Sequence, residues 1–263
     1  MENLFSLKDK IAIVTGANGL LGVNHCTALQ NAGAIVVGCD LKFEESASTE
    51  TIHRFEMDVT DKNSIESVYQ EILRLYGTID ILVNNAAVND MFENPALALE
   101  NSKFENYPIE MWQKSFNVNV TGVYLCSQVF GSHMANRSGG SIINIASTYG
   151  VVGPDQQLYV DDQGIQNFYK SPAYPSTKAA VIGFTKYLAA YWGKNNVRVN
   201  ALCPGGVENN QEKWFVQNYA ARTCLQRMAN VDDYRGALIY LASDASSYMT
   251  GANLIVDGGW TAI

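Results

Sequence analysis

Short apolar runs alternate with longer helix-like stretches along the 263-residue chain. The runs have the length of buried strands and lie near residues 10–15, 34–39, 52–57, 79–84, 140–146, 197–203 and 253–257. The helix-like stretches lie between them, near residues 20–32, 62–76, 109–136, 174–193 and 232–243. This alternation is typical of a parallel sheet with helices on both faces. Since no linker or repeat interrupts it, the sequence predicts a single α/β domain with a doubly wound parallel sheet of about seven strands.

The turn after the first run carries three regularly spaced glycines, Gly16, Gly19 and Gly22. It joins a strand to a helix, and residues without side chains let backbone N–H groups and the helix N-terminus approach a pyrophosphate. Asp40 follows the second run, where a carboxylate suits the ribose hydroxyls of NAD and repels the 2′-phosphate of NADP. The pattern therefore predicts a Rossmann fold that binds NAD in preference to NADP.

A Tyr-x-x-x-Lys pair, Tyr174 and Lys178, follows Ser147 by 27 positions. Four residues make about one helical turn, so the two side chains project from the same face. A cation beside a phenol lowers the pKa of the phenol, which then exchanges protons with a substrate hydroxyl or carbonyl more readily. The pair thus predicts acid–base catalysis. An ordinary amphipathic helix with a solvated lysine is the alternative interpretation.

The net charge of −8 argues against nucleic acid or an anionic membrane as a partner. It leaves room for a phosphate-bearing substrate held by a local basic site. No apolar run is long enough to span a bilayer, and the first residues lack the pattern of a secretory signal. We therefore expect a cytoplasmic protein.

The five cysteines and three histidines are scattered along the chain. They lack the close spacing of a disulfide framework or of a metal site. We expect reduced and mostly buried thiols, and no metal in the reaction.

Together the glycine turn, Ser147 and the Tyr174–Lys178 pair resemble the motifs of the short-chain dehydrogenase/reductase family. Other motifs similar to those of the family are Asp58-Val59, Asn84-Asn-Ala-Ala87, Asn119-Val-Thr-Gly122, Pro204-Gly205 and the segment from Thr250 to Gly259. The resemblance covers nearly the whole chain. It implies an oxidoreductase that interconverts a secondary alcohol and a ketone with a nicotinamide cofactor.

The resemblance also implies roles for individual residues. Tyr174, as phenolate, takes the proton of the alcohol, and Lys178 stabilises that phenolate and holds the nicotinamide ribose. Ser147 hydrogen-bonds the reacting oxygen, and Asn119 holds a water that links Lys178 to solvent. The expected cofactor contacts are Gly16, Asn18, Gly19, Leu21, Gly22, Asp40, Asp58, Val59, Asn85, Ala86, Tyr174, Lys178, Pro204, Gly205 and Val207.

Three features depart from the family pattern. Leu20 stands where the middle glycine of the usual turn would be, and Gly19 precedes it, so the pyrophosphate contacts are expected to be shifted. The spacing from Ser147 to Tyr174 is about twice the usual one, and the additional residues lie within 154–172. Asn209 takes the place of a threonine that lies near the nicotinamide amide in the family.

Amide, carboxylate and aromatic side chains are frequent in the inserted segment 154–172. Such groups suit a polyhydroxylated ligand, because amides and carboxylates pair with hydroxyls and rings pack against sugar faces. A second insertion is expected near 90–108. We predict a sugar or sugar nucleotide as substrate, in keeping with a resemblance to family members associated with flagellin modification and acidic-sugar synthesis. A solvated surface loop is the alternative for 154–172.

Other functions remain open at this point. The substrate alternatives are a 3-oxoacyl compound and a simple polyol. The other functions are a transient oxidation by bound NAD, as within an epimerase or dehydratase, and a non-catalytic NAD-binding regulator. The resemblance further implies a homodimer or homotetramer that assembles through the long helices. Four apolar residues on the second of these helices suit either an interface or the core: Tyr187, Leu188, Tyr191 and Trp192.

Overall fold

A parallel β-sheet lies at the centre of the protein. The computed structural model describes residues 3–43, 52–89, 95–137 and 139–263, with the backbone alone at 95–97. Within these residues seven strands follow the order β3-β2-β1-β4-β5-β6-β7, and all neighbours are parallel. They are β1 Ile11–Thr15, β2 Ile35–Asp40, β3 Ile52–Glu56, β4 Ile81–Asn84, β5 Gly140–Ile145, β6 Val197–Pro204 and β7 Asn253–Val256. The predicted α/β class and strand number are confirmed.

Helices cover both faces of the sheet. In the described residues they are α1 Leu20–Asn31, α2 Lys62–Tyr76, α3 Pro95–Ser102, α4 109–136, α5 Ala173–Trp192, α6 Lys213–Ala221 and α7 Arg235–Ala242. The five predicted helices are present, and α3 and α6 were not predicted. Residues 90–94 of the insertion expected near 90–108 lie outside the described part of the chain.

Helix α4 is not α-helical throughout. Its segments Ile109–Phe116, Val123–Cys126 and Ser132–Asn136 are α-helical, whereas Asn117–Gly122 and Ser127–Gly131 are π-helical. Each π-helical segment ends in a glycine that allows close packing. A Cβ at position 122 would lie 2.8 Å from Val59 Cγ2, and one at position 131 would lie 2.6 Å from the Trp192 ring. Local widening of α4 thus places Asn119 while the helix stays close to its neighbours.

The hydrophobic core has two layers, one on each side of the sheet. Alternate residues of β1 contribute to different layers: Ile13 packs with α2, α4 and α5, whereas Val14 packs with α1 and α7. All five residues of β1 are buried, as expected for a central parallel strand covered on both faces. The runs that predicted the central strands β1, β4, β5 and β6 are therefore apolar because neither face meets solvent, whereas the edge strands β3 and β7 are only partly buried.

A buried amide network ties the sheet to two helices. Asn84 Nδ2 donates to Ser127 Oγ at 3.0 Å and to Asn144 Oδ1 at 2.8 Å, and Asn144 Nδ2 donates to Thr185 Oγ1 at 2.9 Å. These contacts join β4 and β5 to α4 and α5. Because unpaired buried amides are costly, the network favours a single position of the helices on the sheet.

The topology brings distant motifs to one edge. Strands β1, β4 and β5 are neighbours, and their carboxyl ends lie at the same side of the sheet because the strands are parallel. The order in which successive strands are added to the sheet reverses between β1 and β4, which is where ligands bind in doubly wound folds. The glycine turn, the Asn85 region and Ser147 follow these three strands.

His25 on α1 is fully buried, and neither ring nitrogen has a hydrogen-bond partner among the described residues. Burial lowers the pKa of His25 from its ordinary value of 6.5 to about 4. The unfolded chain therefore binds the proton more strongly, and the folded state loses stability as the pH falls from about 6.5 towards 4.

We predict that this histidine lowers the free energy of unfolding by roughly 1 kcal/mol between about pH 7.5 and pH 5.5. The measurement is urea denaturation at both pH values for the natural chain and for His25→Leu. Subtracting the variant removes the contributions of the other titrating groups. An equal pH dependence in the two proteins would contradict the prediction.

Candidate active site

The glycine turn between β1 and α1 has an exposed backbone. Gly16 adopts a positive φ of 64°, and a Cβ there would lie 2.7 Å from Ala86 Cα. A Cβ on Gly22 would lie 2.0 Å from the Gly16 carbonyl oxygen. Gly19 precedes α1 without a side-chain cap, and the first turn of α1 carries no acid. An anion therefore meets backbone N–H groups and the positive helix end there, as a pyrophosphate requires.

Asp40 lies beside this turn at the end of β2. Its Oδ2 accepts a hydrogen bond from the backbone N–H of Asn18 at 2.8 Å, and its Oδ1 accepts one from Leu41 N–H at 2.8 Å. Each carboxylate oxygen keeps acceptor capacity for a further donor. The geometry fits two neighbouring ribose hydroxyls, and the charge opposes a phosphate in the same place.

The end of β4 is bonded directly to the glycine turn. Asn85 Nδ2 donates to the carbonyl oxygens of Thr15 and Gly16 at 2.9 and 3.0 Å. The backbone N–H groups of Asn85 and Ala86 both donate to Thr15 Oγ1 at 3.0 Å. The two segments therefore form one rigid floor, and the Asn85 side chain holds the turn.

Asp58 and Val59 lie in the loop between β3 and α2. Asp58 Oδ1 accepts hydrogen bonds from Thr60 N–H at 2.8 Å and Thr60 Oγ1 at 2.7 Å, which shape the loop. Val59 is buried against Gly122 of α4. The pair thus has a clear structural role, and contact with an adenine ring remains a prediction.

The turn after β6 is held on three sides. The Pro204 carbonyl oxygen accepts a hydrogen bond from Thr148 Oγ1 at 3.1 Å, and Gly205 N–H donates to the Val256 carbonyl oxygen at 2.9 Å. Val207 continues the turn and forms an isolated parallel bridge. Since Thr148 follows Ser147, the turn is fixed relative to the serine.

Ser147 and Tyr174 meet at the end of the sheet. Ser147 is nearly buried just beyond β5, and its Oγ accepts a hydrogen bond from Tyr149 N–H at 3.1 Å. Tyr174 lies in the first turn of α5, and its phenol lies close enough to the Ser147 hydroxyl for that hydroxyl to lower the pKa of the phenol. The residues are far apart in sequence, and the packing of α5 on the sheet brings them together.

Lys178 lies one turn further along α5 and is buried. Its Nζ donates to the Ile145 carbonyl oxygen at 2.7 Å and lies 5.6 Å from the Tyr174 ring centroid. Burial lowers the pKa of Lys178 from 10.5 to about 8.

The pKa of Tyr174 differs from the sequence-based expectation. Burial raises the pKa of this phenol above its ordinary value, and the hydrogen bond from Ser147 lowers it by less. The expectation that Lys178 dominates this pKa is therefore wrong for the geometry described here. The ammonium is bonded to the Ile145 carbonyl oxygen, so the desolvation of Tyr174 prevails.

Asn119 connects the loop after β4 to α5. Its Oδ1 accepts a hydrogen bond from Val88 N–H at 2.8 Å, and its Nδ2 donates to the Val88 carbonyl oxygen at 3.0 Å and to Thr177 Oγ1 at 3.1 Å. Thr177 Oγ1 in turn donates to the Tyr174 carbonyl oxygen at 2.8 Å. The side chain thus positions the first turn of α5, and its expected role in holding a water remains a prediction.

The inserted segment 154–172 is pinned by its own amide side chains. Gln156 Oε1 accepts a hydrogen bond from Lys170 N–H at 2.8 Å, and Gln156 Nε2 donates to the Lys170 carbonyl oxygen at 3.2 Å. Gln166 Nε2 donates to the Gln156 and Phe168 carbonyl oxygens at 3.1 and 2.6 Å. These two amides hold the backbone of the segment, which corrects the expectation that they serve a substrate.

Aromatic residues anchor the same segment to the rest of the chain. Tyr159 packs on Phe215 of α6 with ring centroids 5.4 Å apart, and Leu158 is buried in one cluster with Tyr219 and Trp260. Tyr159 and Tyr219 also lie close enough to Tyr174 to interact with it electrostatically. A solvated loop is therefore the wrong description of the inner part of the segment, although residues 162–165 are exposed.

Lys170 is a residue of the site that the sequence analysis missed. Its Nζ lies 4.5 Å from the Tyr174 ring centroid and is hydrogen-bonded to Asn89 Oδ1. It is the only basic residue in the stretch 154–172, and it stands four positions before Tyr174. Its place one helical turn before Tyr174 could have indicated a role at the site, but the many polar side chains of the segment drew attention away from it.

The structure brings most of the predicted residues to one edge of the sheet. The glycine turn and Asp40 lie at the nucleotide end, and Ser147, Tyr174 and Lys178 lie at the reactive end. In the described ranges no group of His, Cys, Asp and Glu side chains is suited to a metal ion. Among the same residues no helix is both long enough and apolar enough to span a membrane.

Comparison with known proteins agrees with this geometry. A family model described as enoyl-(acyl carrier protein) reductase matches residues 16–261. The NAD-dependent glycerol dehydrogenase of Listeria innocua is 32% identical, over 98% of this chain and 96% of its own length.

Two solved structures extend the likeness to three dimensions. A short chain dehydrogenase of Leptospira borgpetersenii with bound NAD+ is 30% identical with a TM-score of 0.87, over 99% of this chain and 96% of that one. A gluconate 5-dehydrogenase of Burkholderia cenocepacia in complex with NADP and tartrate is 29% identical with a TM-score of 0.84, over 99% of this chain and 98% of that one.

The chain belongs to the short-chain dehydrogenase/reductase family. It is an oxidoreductase of the class that acts on CH–OH groups with a nicotinamide cofactor. The family prediction made from the motifs is confirmed.

Proposed function

We propose that this protein is an NAD-dependent dehydrogenase that interconverts a secondary alcohol and a ketone on a small polyhydroxylated substrate. The observation that carries the proposal is the approach of the Ser147 hydroxyl to the Tyr174 phenol, close enough to lower the pKa of that phenol, with Lys178 one turn away. These groups lie at the carboxyl edge of the sheet, on the same edge as the glycine turn and Asp40.

A bound nicotinamide ring supplies the hydride acceptor, and the protein supplies binding, orientation and proton movement. The Ser147 hydroxyl hydrogen-bonds the substrate oxygen and orients it towards Tyr174. The Tyr174 phenolate takes the proton of that oxygen as the alcohol is oxidised. In the reverse direction the Tyr174 phenol returns the proton to the carbonyl oxygen.

Lys178 supports this proton transfer through its charge. A phenolate at Tyr174 is costly in its partly buried place, and a cation within about 6 Å favours the charged form. Lys178 remains mostly protonated at neutral pH, since its pKa is about 8. Asn119 and Thr177 act as positioning residues, because their hydrogen bonds hold the turn that carries both groups.

The cofactor is NAD in this proposal. Gly16, Gly19 and Gly22 hold the pyrophosphate, and Asp40 accepts hydrogen bonds from the adenosine ribose. Support comes from the position of Asp40, whose two oxygens are oriented by backbone N–H groups at the end of β2. The solved relatives include one NAD+ complex and one NADP complex, so the cofactor needs its own test.

The substrate class is inferred from the aromatic cluster near Tyr174. Tyr149 and Tyr159 are its partly buried members, and aromatic faces suit a sugar or polyol. The glycerol and gluconate dehydrogenases among the relatives act on compounds of this kind. We therefore place the substrate among sugars, polyols and their acids.

We also infer a homo-oligomer that assembles through α4 and α5. Tyr187 and Tyr191 are 61% and 59% exposed, and their rings stack with centroids 5.9 Å apart. Leu188 and Trp192 are buried in the chain itself and belong to the core. Contiguous exposed aromatic surface of this kind is typical of an interface.

Tyr174→Phe is predicted to lower kcat/KM by about a thousandfold, because the variant lacks the proton acceptor. The measurement is NADH absorbance with a panel of polyols, sugars and aldonates. The variant should bind NADH within about threefold of the affinity of the natural enzyme, since phenylalanine keeps the aromatic ring. Tyr248→Phe, at a fully exposed position, is the matched control. Retained activity in Tyr174→Phe would exclude this tyrosine, and no turnover of any panel compound by the natural enzyme would refute the substrate class.

Asp40→Asn is predicted to shift the ratio of kcat/KM values towards NADP by about tenfold or more. The variant keeps the shape of the side chain and removes the charge that opposes the 2′-phosphate. The measurement is initial rates with both cofactors on one substrate. A natural enzyme that already prefers NADP would contradict this role of Asp40.

The double variant Tyr187→Glu/Tyr191→Glu is predicted to yield smaller assemblies, because buried like charges destabilise an interface. Light scattering after size-exclusion chromatography measures the molar mass. Tyr248→Glu is the control for an added surface charge. A natural protein that is already monomeric at micromolar concentration would contradict assembly.

A further inference from the structure

We propose that Tyr219 is a positioning residue for the nicotinamide end of the cofactor. Its phenol oxygen holds the turn after β6, and its ring ties that turn to the segments around the substrate side of the site. The inference rests on the proposed function and on the expected contact of this turn with the nicotinamide. It assigns a role to a residue of α6 that lies outside every motif of the sequence.

The hydrogen bond between Tyr219 and the turn is the first observation. The backbone N–H of Gly206 donates to Tyr219 Oη at 2.5 Å. The tyrosine is buried, and burial raises the pKa of its phenol above the ordinary value, so the hydroxyl stays neutral at working pH. A partly buried N–H that loses its acceptor is costly. The bond therefore favours one conformation of the turn.

The close fit of the ring against the turn is the second observation. A Cβ on Gly206 would lie 2.7 Å from Tyr219 Cζ and 3.0 Å from its Oη. On Gly205 a Cβ would lie 2.9 Å from Asp257 Cα. Neither glycine has a positive φ, so close approach rather than backbone conformation accounts for both. The turn cannot move towards α6 without displacing the tyrosine ring.

Helix α6 is fastened to the inserted segment on either side of Tyr219. Asn218 Nδ2 donates to the Val160 carbonyl oxygen at 2.9 Å. Arg222 Nη2, one turn further along, forms an ion pair with Asp155 Oδ2 at 2.8 Å. Because these contacts lie next to the tyrosine and one turn beyond it, they present the phenol oxygen to the turn from a fixed position.

The C-terminal segment supports the ring itself. Trp260 stacks on Tyr219 with ring centroids 4.6 Å apart. Trp260 is held in turn by Asp257, whose Oδ1 accepts a hydrogen bond from Gly259 N–H at 2.9 Å and whose Oδ2 accepts one from Thr261 N–H at 2.9 Å. The tyrosine thus joins the turn after β6, the inserted segment and the C-terminal segment.

The expected role follows from where the turn lies along the cofactor. Pro204, Gly205 and Val207 are the expected contacts near the nicotinamide, whereas the pyrophosphate and the adenosine ribose are assigned to the glycine turn and Asp40. Loss of the Tyr219 hydroxyl should therefore loosen the nicotinamide end alone. Hydride transfer needs its reacting atoms held closely, so a looser turn should lower turnover more than substrate binding.

Tyr219→Phe tests the inference, because it removes the phenol oxygen and keeps the ring that stacks on Trp260. Isothermal titration calorimetry measures the Kd of NADH and of ADP-ribose, which lacks the nicotinamide. NADH should bind about fivefold more weakly, and ADP-ribose within about twofold of the natural enzyme. Gly206→Ala, which places a methyl group against the same ring, should give the same selective loss. Tyr69→Phe, which removes a phenol that contacts His133 on α4, is the matched control and should change neither Kd.

The kinetics separate positioning from a purely structural role. With any substrate that the natural enzyme oxidises, kcat of Tyr219→Phe should fall about tenfold while the substrate KM stays within about threefold. Circular dichroism should show the same folded fraction as in the natural enzyme at the assay temperature. A role in folding alone would instead lower the folded fraction and leave kcat per folded molecule unchanged.

Two results would overturn the inference. One is an equal weakening of NADH and ADP-ribose binding in Tyr219→Phe, and the other is unchanged NADH binding. The proposed function is judged separately by turnover of the substrate panel by the natural enzyme. If a panel compound is oxidised and Tyr219→Phe binds NADH normally, only the role of Tyr219 fails. If no compound is oxidised, the function fails, and the comparison of NADH with ADP-ribose still decides the role of Tyr219.

Discussion

The buried ammonium group of Lys178 determines the arrangement of the reactive edge. A cation removed from water costs several kcal/mol unless it is hydrogen-bonded, and Lys178 meets this need by donating to the Ile145 carbonyl oxygen at 2.7 Å. Ile145 is the last residue of β5, and Ser147 follows it by two positions. Tyr174 precedes Lys178 by one helical turn. This hydrogen bond, together with the Asn144–Thr185 and Asn119–Thr177 contacts, holds α5 against the sheet and keeps serine and tyrosine side by side.

Opposing effects act on the Tyr174 phenol. Burial raises its pKa, and the Ser147 hydrogen bond opposes that rise. The ammonium groups of Lys178 and Lys170 lie 5.6 and 4.5 Å from its ring centroid. A low dielectric strengthens each of these interactions, so small movements of either lysine change the energy of the phenolate strongly. The inserted segment therefore bears on the chemistry of the site as well as on its shape.

Much of the fold was predictable because the central strands β1, β4, β5 and β6 are almost wholly buried and therefore stand out in the sequence as short apolar runs. Helices α3 and α6 were missed for a physical reason. Each has eight or nine residues, and such short helices depend on tertiary packing more than on their own sequence. The π-helical segments of α4 were equally invisible, since they reflect close packing of Gly122 on Val59 and Gly131 on Trp192.

The motifs in the sequence by themselves determined the family, the parallel sheet and the residues expected at the site, because spacing along strands and helices dictates which groups share an edge or a face. Only the tertiary structure decided what those groups touch. Gln156 and Gln166 bond to backbone, Asn119 reaches Thr177, and Lys170 lies over Tyr174. Side-chain partners and desolvation depend on contacts between segments distant in sequence, so composition alone assigned the amides to substrate and overlooked the lysine.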